Sequence, residues 1–186
     1  PRERDWQSHE AIADNDTEGY SEFGSWHEVG AGFGFAIGRT LYHGDNPFTM
    51  GTARSCTTTR DETKASRVVW HPNVPADGNY AVYVSYPTLS NSVSDAHYMV
   101  RHAGVETSFS VNQRMGGGTW VYLGHFFFSK GDPENNCVIL TNVSNNQGVV
   151  TGDAVRLGGG MGNIDRGGGI SGMSRYFEAA RYSLQW

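Results

Sequence analysis

The chain is short of lysine, cysteine and long apolar runs. Lys64 and Lys130 are its only lysines, and 14 Lys and Arg stand against 19 Asp and Glu, a formal net charge of −5 over 186 residues. Nucleic-acid binders rely on a basic footprint, so this balance argues against one. No apolar stretch approaches the ~18–20 residues that a membrane-spanning helix needs. Neither C-x-x-C nor H-E-x-x-H occurs, which leaves a zinc site without its usual spacing. The nucleotide fingerprints fail as well. In Gly158-Gly159-Gly160-Met161-Gly162 the glycines that G-x-G-x-x-G needs are replaced by Asn163 or Asp165, and no Lys-Ser or Lys-Thr pair follows. G-x-S-x-G is absent too: in Gly169-Ile170-Ser171-Gly172 the second glycine comes one residue too early. The two cysteines, Cys56 and Cys137, fit either one disulfide or two buried thiols, and their paucity favours the thiols. The chain opens at Pro1 without a signal-peptide h-region and reads as a piece of a longer protein.

Glycine and aromatic residues are abundant, with 25 Gly, nine Tyr, nine Phe and five Trp. Runs with period-2 alternation lie between turn residues. Tyr80, Val82 and Val84 fall on one face of an expected strand 79–86, and Ala81, Tyr83 and Ser85 on the other. Further strands are expected at 67–70, 98–102, 105–111, 119–128, 137–142 and 149–157, with Ala103-Gly104 as a tight hairpin connection. Strands at such short intervals, without helical periods between them, predict an all-β chain: an antiparallel, jelly-roll-like β-sandwich. One module is expected. Residues 1–65 would form an irregular extension with early strands, 66–157 the sandwich core, and 158–186 a glycine-rich loop and a short amphipathic helix leading to a neighbouring domain.

Two constellations carry candidate chemistry. Asp14-Asn15-Asp16-Thr17-Glu18-Gly19 matches the first half of an EF-hand loop, with Asp14, Asp16 and Glu18 as candidate calcium ligands. The loop is incomplete, since Ser25 stands where the bidentate carboxylate belongs. The other reading of this run is a solvated acidic loop. Sugar rings stack on aromatic faces while amides, carboxylates and guanidinium groups bond the hydroxyls. Trp26, Tyr42, His43, Asp45, Asn46, Gln113 and Arg114 lie in expected loops or strand ends and are the candidate carbohydrate-binding residues; Trp26 is as readily a core residue. Trp70, Tyr80 and Trp120, inside expected strands, are assigned to the core. No catalytic residue is assigned.

Six segments in order resemble one family. They are Trp70-His71-Pro72, Gly78 to Tyr86, Ala96 to His102, Val111-Asn112-Gln113, Gly117 to Gly124, and Asp153-Ala154-Val155-Arg156-Leu157. Together they are similar to the golvesin C-terminal-like, or xanthan lyase carbohydrate-binding-like, domain. The tail resembles the downstream region of large Bacteroidetes envelope proteins named xanthan lyase or linked to amidase-type domains. The resemblance implies a non-catalytic accessory module in an extracytoplasmic setting. Its expected partners are a polysaccharide or peptidoglycan glycan and a catalytic domain of the same chain. The alternatives are a polysaccharide lyase or hydrolase with catalytic residues in this segment, for which His43 and His102 are the bases to test, and a spacer that packs on its parent hydrolase.

Overall fold

The structure, a computed structural model, describes residues 11–30, 32–36 and 46–158. The glycine-rich stretch beyond residue 158 and the expected C-terminal helix lie outside these residues. The strands are β1 (Ala11–Asp14), β2 (Tyr20–Phe23), β3 (His27–Glu28), β4 (Arg54–Thr57), β5 (Arg67–Trp70) and β6 (Gly78–Ser85). They continue with β7 (Ala96–His102), β8 (Val105–Val111), β9 (Val121–Phe128), β10 (Cys137–Thr141), β11 (Val149–Gly152) and β12 (Ala154–Gly158). A four-stranded sheet runs β1-β12-β6-β9, a five-stranded sheet β2-β5-β10-β7-β8, and a small third sheet β11-β4-β3. All strand pairs are antiparallel. This is the expected β-sandwich.

Alternation places the core between the two large sheets. Val82 and Val84 of β6, Val155 and Leu157 of β12, and Leu123 of β9 meet Val68 and Trp70 of β5, Val100 of β7 and Val138 and Leu140 of β10. Trp70 is fully buried, lies 6.4 Å from the Tyr98 ring in a stacked arrangement, and donates its indole N–H to the Asp153 carbonyl at 3.1 Å. The buried indole thus keeps a partner for its one polar group. Ala103 and Gly104 turn the β7–β8 hairpin with φ of 47° and 82°, the pair of positive values that a twisted two-residue connection demands.

Three features depart from the sequence expectation. Residues 11–14 and 20–23 are strands of the sandwich: β1 pairs with β12 and β2 with β5. Polar neighbours concealed them because each is only four residues long and lies at a sheet edge. The run 149–157 is two strands, because at Asp153 the chain passes from the small sheet to the four-stranded one. β9 carries a bulge: Val82 pairs with Gly124 but Tyr83 with Tyr122. Leu123 is the extra residue, so inward positions change from 121 and 123 to 126 and 128. Cys56 and Cys137 are both buried free thiols, as favoured from sequence, and burial pushes both thiols up.

Candidate functional site

Of the seven candidate sugar-binding residues, the four that lie among the described residues do not form one surface. Tyr42, His43 and Asp45 lie outside the described residues. Trp26 is buried in the core, 6% exposed, so its ring offers no stacking face. Gln113 is completely buried. Its amide nitrogen donates to the Thr151 carbonyl at 2.7 Å and to the Tyr98 hydroxyl at 3.1 Å, and its oxygen accepts from Thr151 N–H at 2.8 Å. The amide therefore ties two loops to the core and has no atom to spare for a ligand. Asn46 and Arg114 are exposed. Asn46 caps a short 3-10 turn by accepting from Phe48 N–H, and Arg114 Nε donates to the Ser92 carbonyl.

A polar cleft of about 620 Å³ opens instead between the end of β4 and the β10–β11 loop. Thr58, Thr59 and Arg60 form one wall, and Ser144, Asn145, Asn146 and Gln147 the other. The two walls are stitched together. Arg60 donates to the Asn145 carbonyl at 2.9 Å, and the Thr58 hydroxyl donates to the Asn146 carbonyl at 2.8 Å. Arg60, Asn145, Asn146 and Gln147 are exposed. Ser144 and Asn145 also border a second hollow of about 480 Å³, beside Glu62 and His97. The run Asn145-Asn146-Gln147 before Gly148 is the sequence signal for this site, and it carries no aromatic residue to draw attention to it.

The cleft margin holds a serine, an aspartate and a histidine, but they are wired against nucleophilic catalysis. Asp95 stands in the middle: the Ser144 hydroxyl donates to it, and His97 Nε2 lies 3.5 Å from it. A nucleophile needs the histidine between serine and carboxylate to take the proton. Burial alone would raise Asp95. Donors from Ser144, Asn146 and the Asn145 backbone, with His97 nearby, hold it below the usual carboxylate range. Asp95 is thus a fixed acceptor that shapes the loop. His102 is a packing residue, with its ring 4.5 Å from Phe126, Nε2 on the Thr107 hydroxyl, and burial lowering its proton affinity.

The outer side of the four-stranded sheet carries a separate aromatic row. Arg156 lies 5.4 Å over the Tyr83 ring, which meets Tyr122 at 5.5 Å. Tyr83 and Tyr122 are buried. Trp120 precedes β9 rather than sitting in the core. It is half-buried and packs against Phe35 at 5.0 Å and Phe48 at 5.4 Å.

The calcium set Asp14, Asp16 and Glu18 is not assembled. Among the described residues no three His, Cys, Asp or Glu side chains gather as metal ligands. Asp14 ends β1 and is 1% exposed, whereas Asp16 and Glu18 are exposed. Asp16 accepts from the Thr52 hydroxyl at 2.8 Å. β1 ends at Asp14 and the turn that follows leaves Asp16 and Glu18 at the surface, whereas the partner of Asp14 is Asp153, 2% exposed, across the sheet end. Burial, then the neighbouring carboxylate, pushes Asp153 strongly up; burial raises Asp14 as well. Asp153 also accepts from Phe35 N–H at 2.7 Å and from the Ser85 hydroxyl at 3.2 Å.

Comparison with known proteins agrees with this architecture. A curated xanthan lyase from Bacillus sp. (strain GL1) is 32% identical over 90 residues, which are 48% of this chain and 10% of that protein. The solved structure of Paenibacillus xanthan lyase matches with a TM-score of 0.63 and 26% identity, over 81% of this chain and 13% of that one. The chain thus spans only a small part of either relative. Neither relative is from the Bacteroidetes, so that expected source gains no support. The model of the Golvesin C-terminal domain matches residues 11–159, from the first described strand to the end of the last. The chain belongs to the Golvesin C-terminal domain family.

Proposed function

We propose that this chain is a non-catalytic accessory module that binds a glycan beside a catalytic domain of the same polypeptide. The observation that carries the reading is the open, amide-rich cleft between Thr58–Arg60 and Ser144–Gln147. Amides and hydroxyls both donate and accept, as sugar hydroxyls do, and Arg60 adds a donor fork suited to an acidic sugar. The similarity to xanthan lyases, of which the chain spans a small part, supports a place beside a polysaccharide-active domain. The scrambled order of Ser144, Asp95 and His97 supports binding rather than turnover. An extracytoplasmic setting belongs to the same reading, because polymeric polysaccharide and peptidoglycan are met outside the cytoplasm.

Affinity electrophoresis through gels carrying xanthan or neutral polysaccharides, with pull-down on peptidoglycan sacculi, tests it. Retardation by at least one glycan is expected. Arg60→Ala with Gln147→Ala should weaken it about tenfold, the loss expected when a charged hydrogen bond of ~1.5 kcal/mol is removed. No retention on any of these glycans overturns the binding reading and leaves a spacer. Retention unchanged in the double variant but lost in Trp120→Ala moves the site to the aromatic row.

A further inference from the structure

Two hollows meet at the β10–β11 loop, and only the first carries the binding reading above. The second, of about 480 Å³, is lined by Glu62, His97, Thr141, Val143, Ser144 and Asn145. Ser144 and Asn145 line both, so the two hollows are neighbours across one ridge. The sheet register sets the floor of the second. Thr141 of β10 pairs with His97 of β7 on one side and with Arg67 of β5 on the other. Leu140 and Tyr98, one residue along each strand, belong to the core, so Thr141 and His97 face outward. The hollow therefore lies on the outer face of the five-stranded sheet, with Glu62 of the short 3-10 turn Glu62–Lys64 at its margin.

The ridge between the hollows is fixed from within the fold. Asp95 accepts from the Ser144 hydroxyl, from Asn145 N–H at 3.1 Å and from the Asn146 amide at 2.8 Å. Ser144 N–H donates to the Thr59 carbonyl at 3.0 Å. The margin that carries Glu62 is fixed as well. Asp61 caps the turn by accepting from Thr63 N–H at 3.0 Å, and its own N–H donates to Thr59 Oγ1 at 3.1 Å. Thr59 thus ties both sides together. A groove formed in advance loses little ordering entropy when a ligand enters.

The two hollows differ in charge. The first holds the Arg60 guanidinium and the amides of Asn145, Asn146 and Gln147. The second holds the Glu62 carboxylate, and no lysine or arginine lines it. Arg67, the register neighbour of Thr141, lies 5.2 Å over the Phe23 ring, which draws its guanidinium toward β2 and away from β10. A carboxylate accepts from two adjacent sugar hydroxyls at once and repels a uronate. Thr141 adds a hydroxyl, and Val143 an apolar side for the C–H face of a ring. We propose that the second hollow is a subsite for a neutral sugar unit, next to an acidic unit held at Arg60, and that Glu62 enforces the difference. The inference rests on the glycan-binding reading of the cleft. The ligand is then a polysaccharide in which acidic and neutral units adjoin, not a uniformly acidic or uniformly neutral chain.

Affinity electrophoresis of the whole chain tests the subsite with three probes. They are xanthan, whose side chains join acidic to neutral sugars, polygalacturonate, which is all uronate, and glucomannan, which is all neutral. Xanthan should retard the wild type more strongly than either of the others. Glu62→Gln should lower the ratio of xanthan to polygalacturonate retention about threefold, the weight of one exposed charge–charge contact. Thr141→Val should weaken xanthan retention by a similar factor, about threefold for one lost neutral hydrogen bond. Both variants should melt as the wild type does. The subsite is overturned if polygalacturonate retards the wild type as strongly as xanthan, or if only glucomannan or only sacculi retain it. It is overturned equally if either variant behaves as wild type while Arg60→Ala with Gln147→Ala loses retention. Each of these outcomes leaves the cleft as a glycan site. Retention by no glycan at all removes the cleft reading, and the subsite with it.

Discussion

Gln113 shows how a side chain that is polar in sequence becomes structural. Its amide answers the N–H and C=O of Thr151 and the Tyr98 hydroxyl inside the fold. Gln113→Ala should cost about 3 kcal/mol, because buried donors and acceptors lose their partners; the shift of the urea unfolding midpoint reads it directly. Sequence could not separate Gln113 from Arg114. The two are neighbours in one loop, and only the return of Val149–Gly152 beside it makes the first a buried tie and the second exposed. Trp26 was ambiguous for a related reason, since an indole serves a core and a sugar platform equally well. The cleft residues Asn145 to Gln147 stand in the sequence as an amide run, but without an aromatic residue beside them they were not singled out as candidates. What sequence lacked was Arg60, 85 positions from the Asn145 carbonyl it bonds.

At the level of single strands, β6 and β8 were legible because each keeps period 2 over its whole length. β9 was only half legible, since its alternation changes phase at Leu123–Gly124. Gly124 has φ of 154°, and an added Cβ would meet the Phe126 ring at 3.1 Å. Gly124→Ala should therefore destabilise by about 1–2 kcal/mol, seen as a Tm lower by several degrees with the sheet content by circular dichroism retained. The short edge strands β1 and β2 escaped notice because four residues carry too little pattern to outweigh polar neighbours. A chain shortened to begin after Asp14 should expose the β12 edge at Val155 and Leu157. It should be markedly less stable and prone to associate, which size-exclusion chromatography and melting together report.

For the whole molecule, Glu22 of β2 and Arg54 of β4 join the five-stranded sheet to the small one at 2.6 Å. The hydrogen bond from Arg54 is the main reason the Glu22 carboxyl is held below its usual range, with Tyr20 assisting. A depressed carboxyl contributes stability above its unfolded-state value of about 4.3 and loses it as pH falls through the folded-state value. Wild type should exceed Glu22→Gln by about 0.5–1 kcal/mol at pH 6–7, and the gap should close toward pH 3 in urea titrations. A gap that persists at pH 3 would refute the assignment. The sandwich class was legible from spacing alone, whereas the pairing of sheets was not, because it rests on contacts distant in sequence. One of these has a consequence in time. Ala11 pairs with Leu157 and Asp14 with Ala154, so the first described strand finds its neighbour in the last. During synthesis β1 must wait, unpaired, while more than a hundred residues emerge. The four-stranded sheet therefore closes in one late step, and until then the nascent chain stays open enough to be threaded, captured or cut.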